Sequence, residues 1–270
     1  ERKPLLNKAT SGAYPPGSTF KMVVAAAALE LGLIGLNDKI FCAGFYELGS
    51  RKFHCWLKGG HGKLTLQEAI QKSCDFYFYE LARKVGVKSI GAMARRLGLG
   101  QAYNLPLTGL SKGFVPTKKW KKERFGTSWL VGDTLNVGIG QGFSLATPLQ
   151  LAVMTARLAS GKEVTPNIIK NPNKNVGNPK ALSIKENTLV AIRKGMFNVL
   201  NEKEGTAFNF RTTDKNFLIA GKTGTSQVRR ITREEREEGV IKNEDLPWKM
   251  RDHALFTCFA PYKNPRYALS

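Results

Sequence analysis

The sequence predicts an α+β fold, because the pattern of its apolar residues changes along the chain. Apolar residues recur at helical spacing in several segments between residues 18 and 201. Three apolar segments with strand character follow, starting near residues 216, 252 and 266. Helices in the middle and strands at the end are typical of α+β or mixed three-layer proteins. The 270 residues, 42% of them hydrophobic, suffice for one large domain, or for one domain with a small lobe.

The first helices are predicted from their end signals. An almost wholly apolar helix is expected from about Ser18 to Leu31, ended by Gly32, since glycine commonly terminates helices. Thr65 and Glu68 form a Thr-x-x-Glu capping box, which predicts the start of a short helix. Two more helices are predicted, one before Gly86 and one after it.

Two later helices are predicted within "TPLQLAVMTARLASG" and "KENTLVAIRKGMFNVLN". In the first, Thr147 is the expected N-cap, Pro148 opens the first turn, Gln150 completes a capping box and Gly161 follows the last turn. The second has the spacing of an amphipathic helix.

Three stretches between these elements are predicted to be irregular. Residues 39–64 hold short alternating segments between glycines and predict a loop-rich, hairpin-like insert. Residues 101–134 are predicted to be loop-rich, and the basic run "KKWKKERF" that starts at Lys118 is predicted to be a loop. A charged connector is expected from Arg229 to Asp252.

The chain is strongly basic: it has 42 Lys and Arg residues against 21 Asp and Glu, which gives a formal net charge of +21. Such a balance suits a polyanionic partner, an anionic membrane surface or a carboxylate-bearing substrate. The basic residues are scattered, and the sequence holds no helix-turn-helix, RNP or zinc-finger pattern, so nucleic acid is not an expected partner. No apolar run approaches the roughly 18 residues of a membrane span, and both ends of the chain suggest a piece of a longer protein.

Ser18 and Lys21 form the first candidate catalytic pair. Residues three apart lie on the same face of a helix, so their side chains can meet. A serine hydroxyl needs a base to become a nucleophile, and a lysine becomes a base when desolvation lowers its pKa. Ser-x-x-Lys alone is weak, since a chain this rich in lysine is expected to contain about one such match by chance.

Two further motifs contain hydroxyl and charged groups. In "KSCDFYF", Ser73 and Asp75 lie between two predicted helices, where they either face a cleft or act as an ordinary N-cap. In "IAGKTGTSQV", Lys222 begins a Lys-Thr-Gly-Thr run on an apolar strand. Glycine in a strand marks a bulge or the close approach of a ligand or backbone.

The order Ser-x-x-Lys, Ser-x-Asp and Lys-Thr-Gly matches the motif set of penicillin-binding proteins and class A β-lactamases. Longer segments strengthen the match: "PPGSTFK", "GHGKLTLQEAIQKSCDFYFYELA", "GIGQGFSLATPLQLA" and "AGKTGTSQ". Over nearly its whole length the sequence resembles the transpeptidase domain of class B penicillin-binding proteins, and most the elongation-type group called penicillin-binding protein 2.

The resemblance implies an antiparallel sheet flanked by helices, with an all-helical subdomain. It implies that residues 1–270 are a fragment of the transpeptidase domain, without the N-terminal pedestal, the membrane anchor, the first sheet strands and the C-terminal end. The sheet is therefore expected to be incomplete. The implied location is the bacterial inner membrane, with the catalytic domain in the periplasm and the missing segment as the anchor.

The implied activity is D,D-transpeptidation of peptidoglycan stem peptides through a serine acyl-enzyme, with β-lactams as dead-end substrates. Ser18 would be the nucleophile, Lys21 its base and Ser73 a proton relay, while the charge of Lys222 would keep Lys21 neutral. The backbone N–H groups of Ser18 and Thr225 would form the oxyanion hole.

The resemblance also implies a substrate-binding set: Asp75, Thr223, Gly224 and Thr225. Asp75 stands where the wider superfamily commonly has asparagine, although aspartate is usual in the penicillin-binding protein 2 group. No cofactor is implied for catalysis. A lipid-II polymerase of the shape-and-division family is the implied protein partner.

A structural zinc is a further implication, since members of this group carry one beside the active site. The matching positions are Asp38, Cys55, His61 and Cys74, and these residue types are ones that zinc accepts. The residues themselves leave two alternatives open. One is a Cys42–Cys55 disulfide, which suits an oxidising compartment, and the other is free thiols.

The same residues also suit other functions. A D,D-carboxypeptidase or a β-lactamase would use the same nucleophile but let water attack the acyl-enzyme. Glu123 is the only acidic residue in residues 105–132, and we expect a solvated loop charge there rather than a deacylating base. A non-enzymatic β-lactam sensor would retain the motifs, and a polyanion-binding protein has only the charge in its favour.

Overall fold

The fold is described from a computed structural model that covers residues 5–169, 178–229, 231–232, 235 and 239–270. The helices are α1 (Lys21–Glu30), α2 (Leu66–Gln71), α3 (Asp75–Arg96), α4 (Lys118–Phe125), α5 (Val131–Gly138), α6 (Pro148–Ser160) and α7 (Glu186–Asn201). The strands are β1 (Ile40–Cys42), β2 (Phe45–Leu48), β3 (Arg51–His54), β4 (Gly62–Leu64), β5 (Ala220–Ser226), β6 (His253–Ala260) and β7 (Tyr267–Leu269).

Helix α1 lies in the middle of the core, between α3 and α7. Residues 21–28 of this helix are all buried, which fits a helix that is apolar on every side. The helix that was expected to start at about Ser18 begins as a 3-10 turn over Gly17–Phe20, which leads directly into α1. The chain leaves the helix through Gly32 in a left-handed conformation, as predicted.

The predicted α+β class is confirmed. Strands β5, β6 and β7 form an antiparallel sheet in that order, with Lys222 opposite Thr257. Helices α6 and α7 pack on this sheet. Within the described part of the chain, β6 is the only strand paired with β5, so the other edge of β5 faces the turn that carries Ser18.

The insert expected at residues 39–64 consists of two separate antiparallel pairs, β1 with β4 and β2 with β3. The pair β1–β4 places Cys42 opposite Gly62. The pair β2–β3 is a hairpin that turns through Gly49, which has a positive φ of 58°. This arrangement brings the insert over the start of α3.

The expectation of a loop at "KKWKKERF" is wrong, because these residues form α4. Thr117 accepts a hydrogen bond from the N–H of Trp120 and caps the helix, which ends at Gly126 with a φ of 68°. The ring of Trp120 packs against Phe114 and Phe143, so an aromatic contact stabilises this highly charged helix. Its basic residues mask these cap and packing signals in the sequence.

Helix α5 was also not predicted within residues 101–134. It is joined to α4 by an ion pair between Lys121 and Asp133. Helix α3 combines the two helices that we expected around Gly86, which interrupts it with a non-helical φ of 76° and ψ of 151°. The predicted helices at "TPLQ" and "KENT" are confirmed as α6 and α7.

The connector expected between Arg229 and Asp252 lies partly outside the described residues. Its described part contains 3-10 turns at Asn243–Asp245 and Trp248–Met250. None of the helices in the described ranges is both long and apolar enough to cross a membrane.

Candidate active site

A cleft of about 1090 Å³ opens between the Ser18 turn, the β2–β3 hairpin and the edge of β5. Six of the eight residues predicted for catalysis and substrate binding line it: Ser18, Ser73, Asp75, Thr223, Gly224 and Thr225. The other two, Lys21 and Lys222, are completely buried. The structure therefore brings together motifs that are up to about two hundred residues apart in the chain.

Ser18 lies in the 3-10 turn that precedes α1, and its side chain is half-buried. The turn is stabilised by Thr19, whose hydroxyl donates to the carbonyl of Pro16 at 2.6 Å. No described residue forms a hydrogen bond with the Ser18 hydroxyl, which borders the cleft. Its position at the start of a helix places it in a field that favours developing negative charge.

Lys21 joins the first motif to the second. Its Nζ donates to the carbonyl of Ser73 at 2.8 Å and to Oδ1 of Asp75 at 2.7 Å. The same nitrogen lies 3.3 Å from Oγ of Ser73. An amine that is fully buried needs such partners, since burial without them is costly. The contacts place the hydroxyl of Ser73 within reach of Lys21 for proton transfer.

Ser73 has an unusual backbone conformation between α2 and α3. Its φ is 53°, in the left-handed region that a residue with a side chain rarely adopts, and it is 7% exposed. Two hydrogen bonds close this turn, from the N–H of Ser73 to Ile70 and from the N–H of Cys74 to Ala69. Strain of this type costs about 1–3 kcal/mol and is often found at functional sites. Here it directs the Ser73 carbonyl and hydroxyl to Lys21.

Lys222 lies on β5, and its Nζ donates to the carbonyl of Thr223 at 3.0 Å. Burial, followed by the charge of Lys21, holds the pKa of Lys222 well below its usual range. Lys21 itself pairs with the Asp75 carboxylate, and the two buried lysines are close enough for the charge of Lys21 to act on Lys222.

The third motif lies very close to the Ser18 turn. A Cβ atom at Gly224 would lie 3.0 Å from Cγ2 of Thr19 and 3.3 Å from the carbonyl oxygen of Pro16. Glycine at this position therefore allows the backbone of β5 to approach the turn. Thr225 is exposed, and Thr223 is half-buried with its hydroxyl 2.6 Å from the hydroxyl of Thr206.

Three cleft residues that form hydrogen bonds with the predicted set were not predicted from the sequence. The N–H of Trp56 donates to Oδ2 of Asp75 at 3.0 Å, the amide of Gln141 donates to the carbonyl of Thr225 at 2.9 Å, and Thr206 contacts Thr223. These contacts join residues that lie far apart in sequence, so local patterns contain no signal for them. The weak signals present are that Trp56 follows a cysteine and that Gln141 lies between two glycines.

Three thiols and one imidazole form a compact cluster behind the second motif. The ligand atoms of Cys42, Cys55, His61 and Cys74 all lie within 4.8 Å of one another. Nδ1 of His61 is 3.7 Å from Sγ of Cys42 and 3.5 Å from Sγ of Cys55. All four cysteines of the chain are free, so the structure does not form the alternative Cys42–Cys55 disulfide.

The structure corrects one member of the expected zinc set. Cys42 belongs to the cluster in place of Asp38, whose carboxylate accepts a hydrogen bond from the N–H of Gly35 at 2.7 Å. The reason is the pairing of β1 with β4, which places Cys42 opposite Gly62 and so beside His61. Asp38 precedes β1 and remains in the loop that leads into it.

The cluster fits a zinc ion in chemistry and in size. Zinc–sulfur bonds of about 2.3 Å and zinc–nitrogen bonds of about 2.0 Å in a tetrahedron place neighbouring ligand atoms about 3.5–3.8 Å apart, which agrees with the two distances to His61. Hydrogen bonds from Cys74 and His61, against the effect of burial, lower the pKa of Cys55 to about 3 and that of Cys42 to about 6. Hydrogen bonds with Cys42 and Cys55, together with burial, raise the pKa of Cys74.

A serine at a helix start, a buried lysine one turn later and a second serine bonded to that lysine are typical of a site for serine acyl transfer. The family described as the penicillin binding protein transpeptidase domain matches residues 1–270. The chain belongs to this family.

Named relatives agree with this membership. The chain is 36% identical, over 284 residues, to the Peptidoglycan D,D-transpeptidase MrdA of Haemophilus influenzae, covering 99% of this chain and 42% of that protein. It therefore spans less than half the length of this relative.

Two solved structures have the same fold. One is the complex of Penicillin-Binding Protein (PBP2) and MreC from Helicobacter pylori, with a TM-score of 0.86, 38% identity, and coverage of 98% of this chain and 46% of that one. The other is Pseudomonas aeruginosa PBP2 in complex with WCK 5153, with a TM-score of 0.84, 35% identity, and coverage of 98% and 57%.

Proposed function

We propose that this chain carries the catalytic site of a peptidoglycan D,D-transpeptidase that crosslinks stem peptides through a serine acyl-enzyme. The observation that carries the proposal is the buried Lys21, held 3.3 Å from the hydroxyl of Ser73 and one helical turn from Ser18. The activity named for the Haemophilus influenzae relative supports it. The penicillin-binding group of the solved neighbours supports β-lactams as inhibitors.

The first half-reaction forms the acyl-enzyme. Lys21, as a neutral amine, accepts the hydroxyl proton of Ser18 while Oγ attacks the carbonyl carbon of the penultimate D-Ala. The N–H groups of Ser18 and Thr225 stabilise the oxyanion. The peptide C–N bond then breaks, terminal D-Ala leaves with a proton relayed through Ser73, and the donor peptide remains as an ester on Ser18.

The second half-reaction releases the enzyme. The amine of another stem peptide attacks the ester carbonyl and forms the crosslinking amide. The amine loses a proton to the buried amines, and the Ser18 oxygen regains one as the ester bond breaks. Asp75, Thr223, Gly224 and Thr225 are the proposed substrate-binding residues, with the hydroxyls of the two threonines engaging the substrate carboxylate. The edge of β5 that no described strand pairs with offers backbone groups to an extended peptide in this proposal.

Two lysines that share one buried site supply the base. Burial and the charge of Lys21 lower the pKa of Lys222, so the amine of Lys222 loses its proton more readily than that of an exposed lysine. Because the two amines interact, their protonation is a property of the pair rather than of either residue alone.

Intact mass after incubation with a penicillin tests the proposal. The purified protein is expected to gain the mass of one penicillin, and Ser18→Ala is expected to gain none. Circular dichroism establishes that both proteins are folded. An adduct on both proteins, or none on folded wild type, contradicts the assignment of Ser18 as nucleophile.

Hydrolytic alternatives are distinguished by the lifetime of the adduct. Glu123 is 62% exposed and pairs with Lys119 on α4, so its geometry does not favour a role as a deacylating base. A penicilloyl adduct that lasts for hours is expected. Release within seconds would instead indicate a β-lactamase.

A structural zinc site is part of the proposal, with Cys42, Cys55, His61 and Cys74 as ligands. Catalysis requires no cofactor in this proposal. When bound, the metal would hold the three thiols and the imidazole together and so fix the chain on either side of Cys74, between Ser73 and Asp75. Elemental analysis of protein purified without chelators tests the site, and absence of zinc overturns it.

The proposed setting is the periplasmic side of the bacterial inner membrane, with an anchor outside this chain. The Helicobacter pylori relative is described in complex with MreC, which supports a role with proteins of cell-shape control. A lipid-II polymerase of the shape-and-division family is the proposed enzyme partner. Co-purification of that polymerase with the membrane-extracted protein tests this, and its consistent absence argues against it.

A further inference from the structure

Three backbone segments meet beside Ser18. The N–H of Gly17 donates to the carbonyl of Gly140 at 2.9 Å. A Cβ atom at Gly17 would lie 2.5 Å from the carbonyl oxygen of Thr225, and one at Gly140 would clash with the carbonyl of Gly17. The residue before the nucleophile is therefore enclosed between the end of β5 and the turn that follows α5.

Gln141 joins two of these segments with its side chain. Its amide Nε2 donates to the carbonyl of Thr225 at 2.9 Å, across 84 residues of sequence. The side chain is half-buried and lines the cleft. The backbone bond of Gly140 positions the Ser18 turn, while the side chain of Gln141 positions Thr225, so adjacent residues hold both sides of the oxyanion site.

We propose that Gln141 is a positioning residue that sets the separation between the N–H groups of Ser18 and Thr225. This inference rests on the proposed acyl-transfer function. Rate enhancement at an oxyanion site depends on donors placed within a fraction of an ångström, and misplacement by about 1 Å costs on the order of a hundredfold in rate. Gln141 acts on the reaction only through the position of Thr225.

The chemistry of glutamine suits this role. Its side chain donates a hydrogen bond without adding charge to a site that already contains Lys21 and Lys222. Methionine has nearly the same length and volume but no donor, so Gln141→Met removes the bond to Thr225 with little change in packing. Gln67 offers a matched control, since it is half-buried on α2 and does not line the cleft.

Pre-steady-state acylation by a fluorescent penicillin tests the inference in the purified wild type, Gln141→Met and Gln67→Met. The rate at increasing penicillin concentration separates the dissociation constant of the first complex from the acylation rate constant. Gln141→Met is expected to lower the acylation rate constant about ten- to a hundredfold and to change the dissociation constant less than about threefold. Gln67→Met is expected to behave as wild type in both.

Other results overturn the inference. An acylation rate constant of Gln141→Met within about twofold of wild type excludes a positioning role, and so does a loss confined to the dissociation constant. The melting temperature of Gln141→Met could fall together with its acylation rate. In that case two further variants, Gln141→Asn and Gln141→Glu, are compared with it at a temperature where all three are folded. Rates that follow stability rather than loss of the donor then refute the inference. Absence of an adduct on wild type would refute the proposed function instead.

Discussion

Nζ of Lys21 lies 2.7 Å from Oδ1 of Asp75, in an ion pair whose amine is fully buried and whose carboxylate is 14% exposed. The other oxygen of the carboxylate accepts the N–H of Trp56 at 3.0 Å. Asp75 therefore connects the buried Lys21 to the insert, which contains three of the four residues of the Cys/His cluster. Its charge also acts on Lys222, whose pKa it raises against the larger lowering effects of burial and of Lys21.

Replacing Asp75 with asparagine should move the pH dependence of acylation. Loss of the carboxylate removes the interaction that favours protonated Lys222, so the pKa of Lys222 falls further and its neutral amine persists to lower pH. The rising limb of the acylation rate should shift to lower pH in Asp75→Asn. Stopped-flow acylation by a fluorescent penicillin between about pH 5 and 9 measures this shift.

Asp214→Asn is the control for this change, since Asp214 is exposed and its charge is screened by solvent. Its profile should overlay that of wild type. Because Asp75 adjoins Cys74, metal content is measured in each protein. A limb that stays in place or moves to higher pH in Asp75→Asn contradicts the electrostatic role of the carboxylate.

Lys222→Met should stabilise the protein while preventing acylation. The buried amine has a lowered pKa, so the unfolded state binds more protons than the folded state and the free energy of unfolding rises with pH up to the unfolded pKa, about 10.4. Methionine removes this penalty and keeps the volume, which should raise the free energy of unfolding by about 1–2 kcal/mol at neutral pH. Urea denaturation measures the gain.

The pH dependence of the gain identifies its cause. The difference between Lys222→Met and wild type should be largest at low pH and shrink as the pH approaches the unfolded pKa of lysine. Lys194→Met provides the comparison, since Lys194 is 42% exposed. A gain that does not depend on pH would mean that packing, rather than protonation of Lys222, determines the effect.

Much of the proposed catalytic set could be predicted from the sequence, because each motif is a local pattern with a chemical reason. The shared helical face of Ser18 and Lys21 was predictable from their spacing. Their relationship in the structure is less direct, since Lys21 bonds to Ser73 and Asp75, more than fifty residues away. Contacts over that distance depend on how α1 packs against α3, which no local pattern specifies.

The errors have similar physical causes. Asp38 and Cys42 are both acceptable zinc ligands by type, and only the register of β1 against β4 selects Cys42. The α4 segment is so basic that it resembles a solvated loop, although the residues at its two ends, Thr117 and Gly126, are typical helix caps. Gln141 bonds to the backbone carbonyl of Thr225. Every residue has such a carbonyl, so the sequence does not indicate which one a side chain will contact.

The choice between Cys42 and Asp38 leads to a matched pair of variants. Cys42→Ser should lose most bound zinc, because the cluster loses one of its four ligands. Asp38→Asn should retain about one zinc per chain, because Asp38 bonds to Gly35 outside the cluster. Elemental analysis after gel filtration measures the metal content.

Removal of the metal should also destabilise the fold. A chelator should lower the melting temperature of wild type and Asp38→Asn by at least about 5 °C, since an ion bound only by the folded state stabilises it. Cys42→Ser should show little response to the chelator. Retention of zinc by Cys42→Ser together with its loss from Asp38→Asn would favour the aspartate as ligand.

Gly140→Ala should impair both folding and acylation, because Gly140 contacts the backbone of Gly17, the residue before the nucleophile. Gly140 has a φ of 72°, and a Cβ atom there would clash with the carbonyl of Gly17, so the Ser18 turn must move. Overpacking against backbone together with left-handed strain should cost about 2–4 kcal/mol of unfolding free energy. The acylation rate constant should fall with it, since Ser18 moves relative to Thr225.

Gly126→Ala separates the two effects of that substitution. Gly126 has a nearly identical φ of 68° at the end of α4, and a Cβ atom there would meet no atom within 4 Å. Its alanine variant should lose only about 1 kcal/mol, through backbone strain, and acylate at the wild-type rate. Denaturation curves and acylation rates are compared for the two alanine variants. Equal stability losses, or an unchanged acylation rate in folded Gly140→Ala, would show that the contact between Gly17 and Gly140 does not position Ser18.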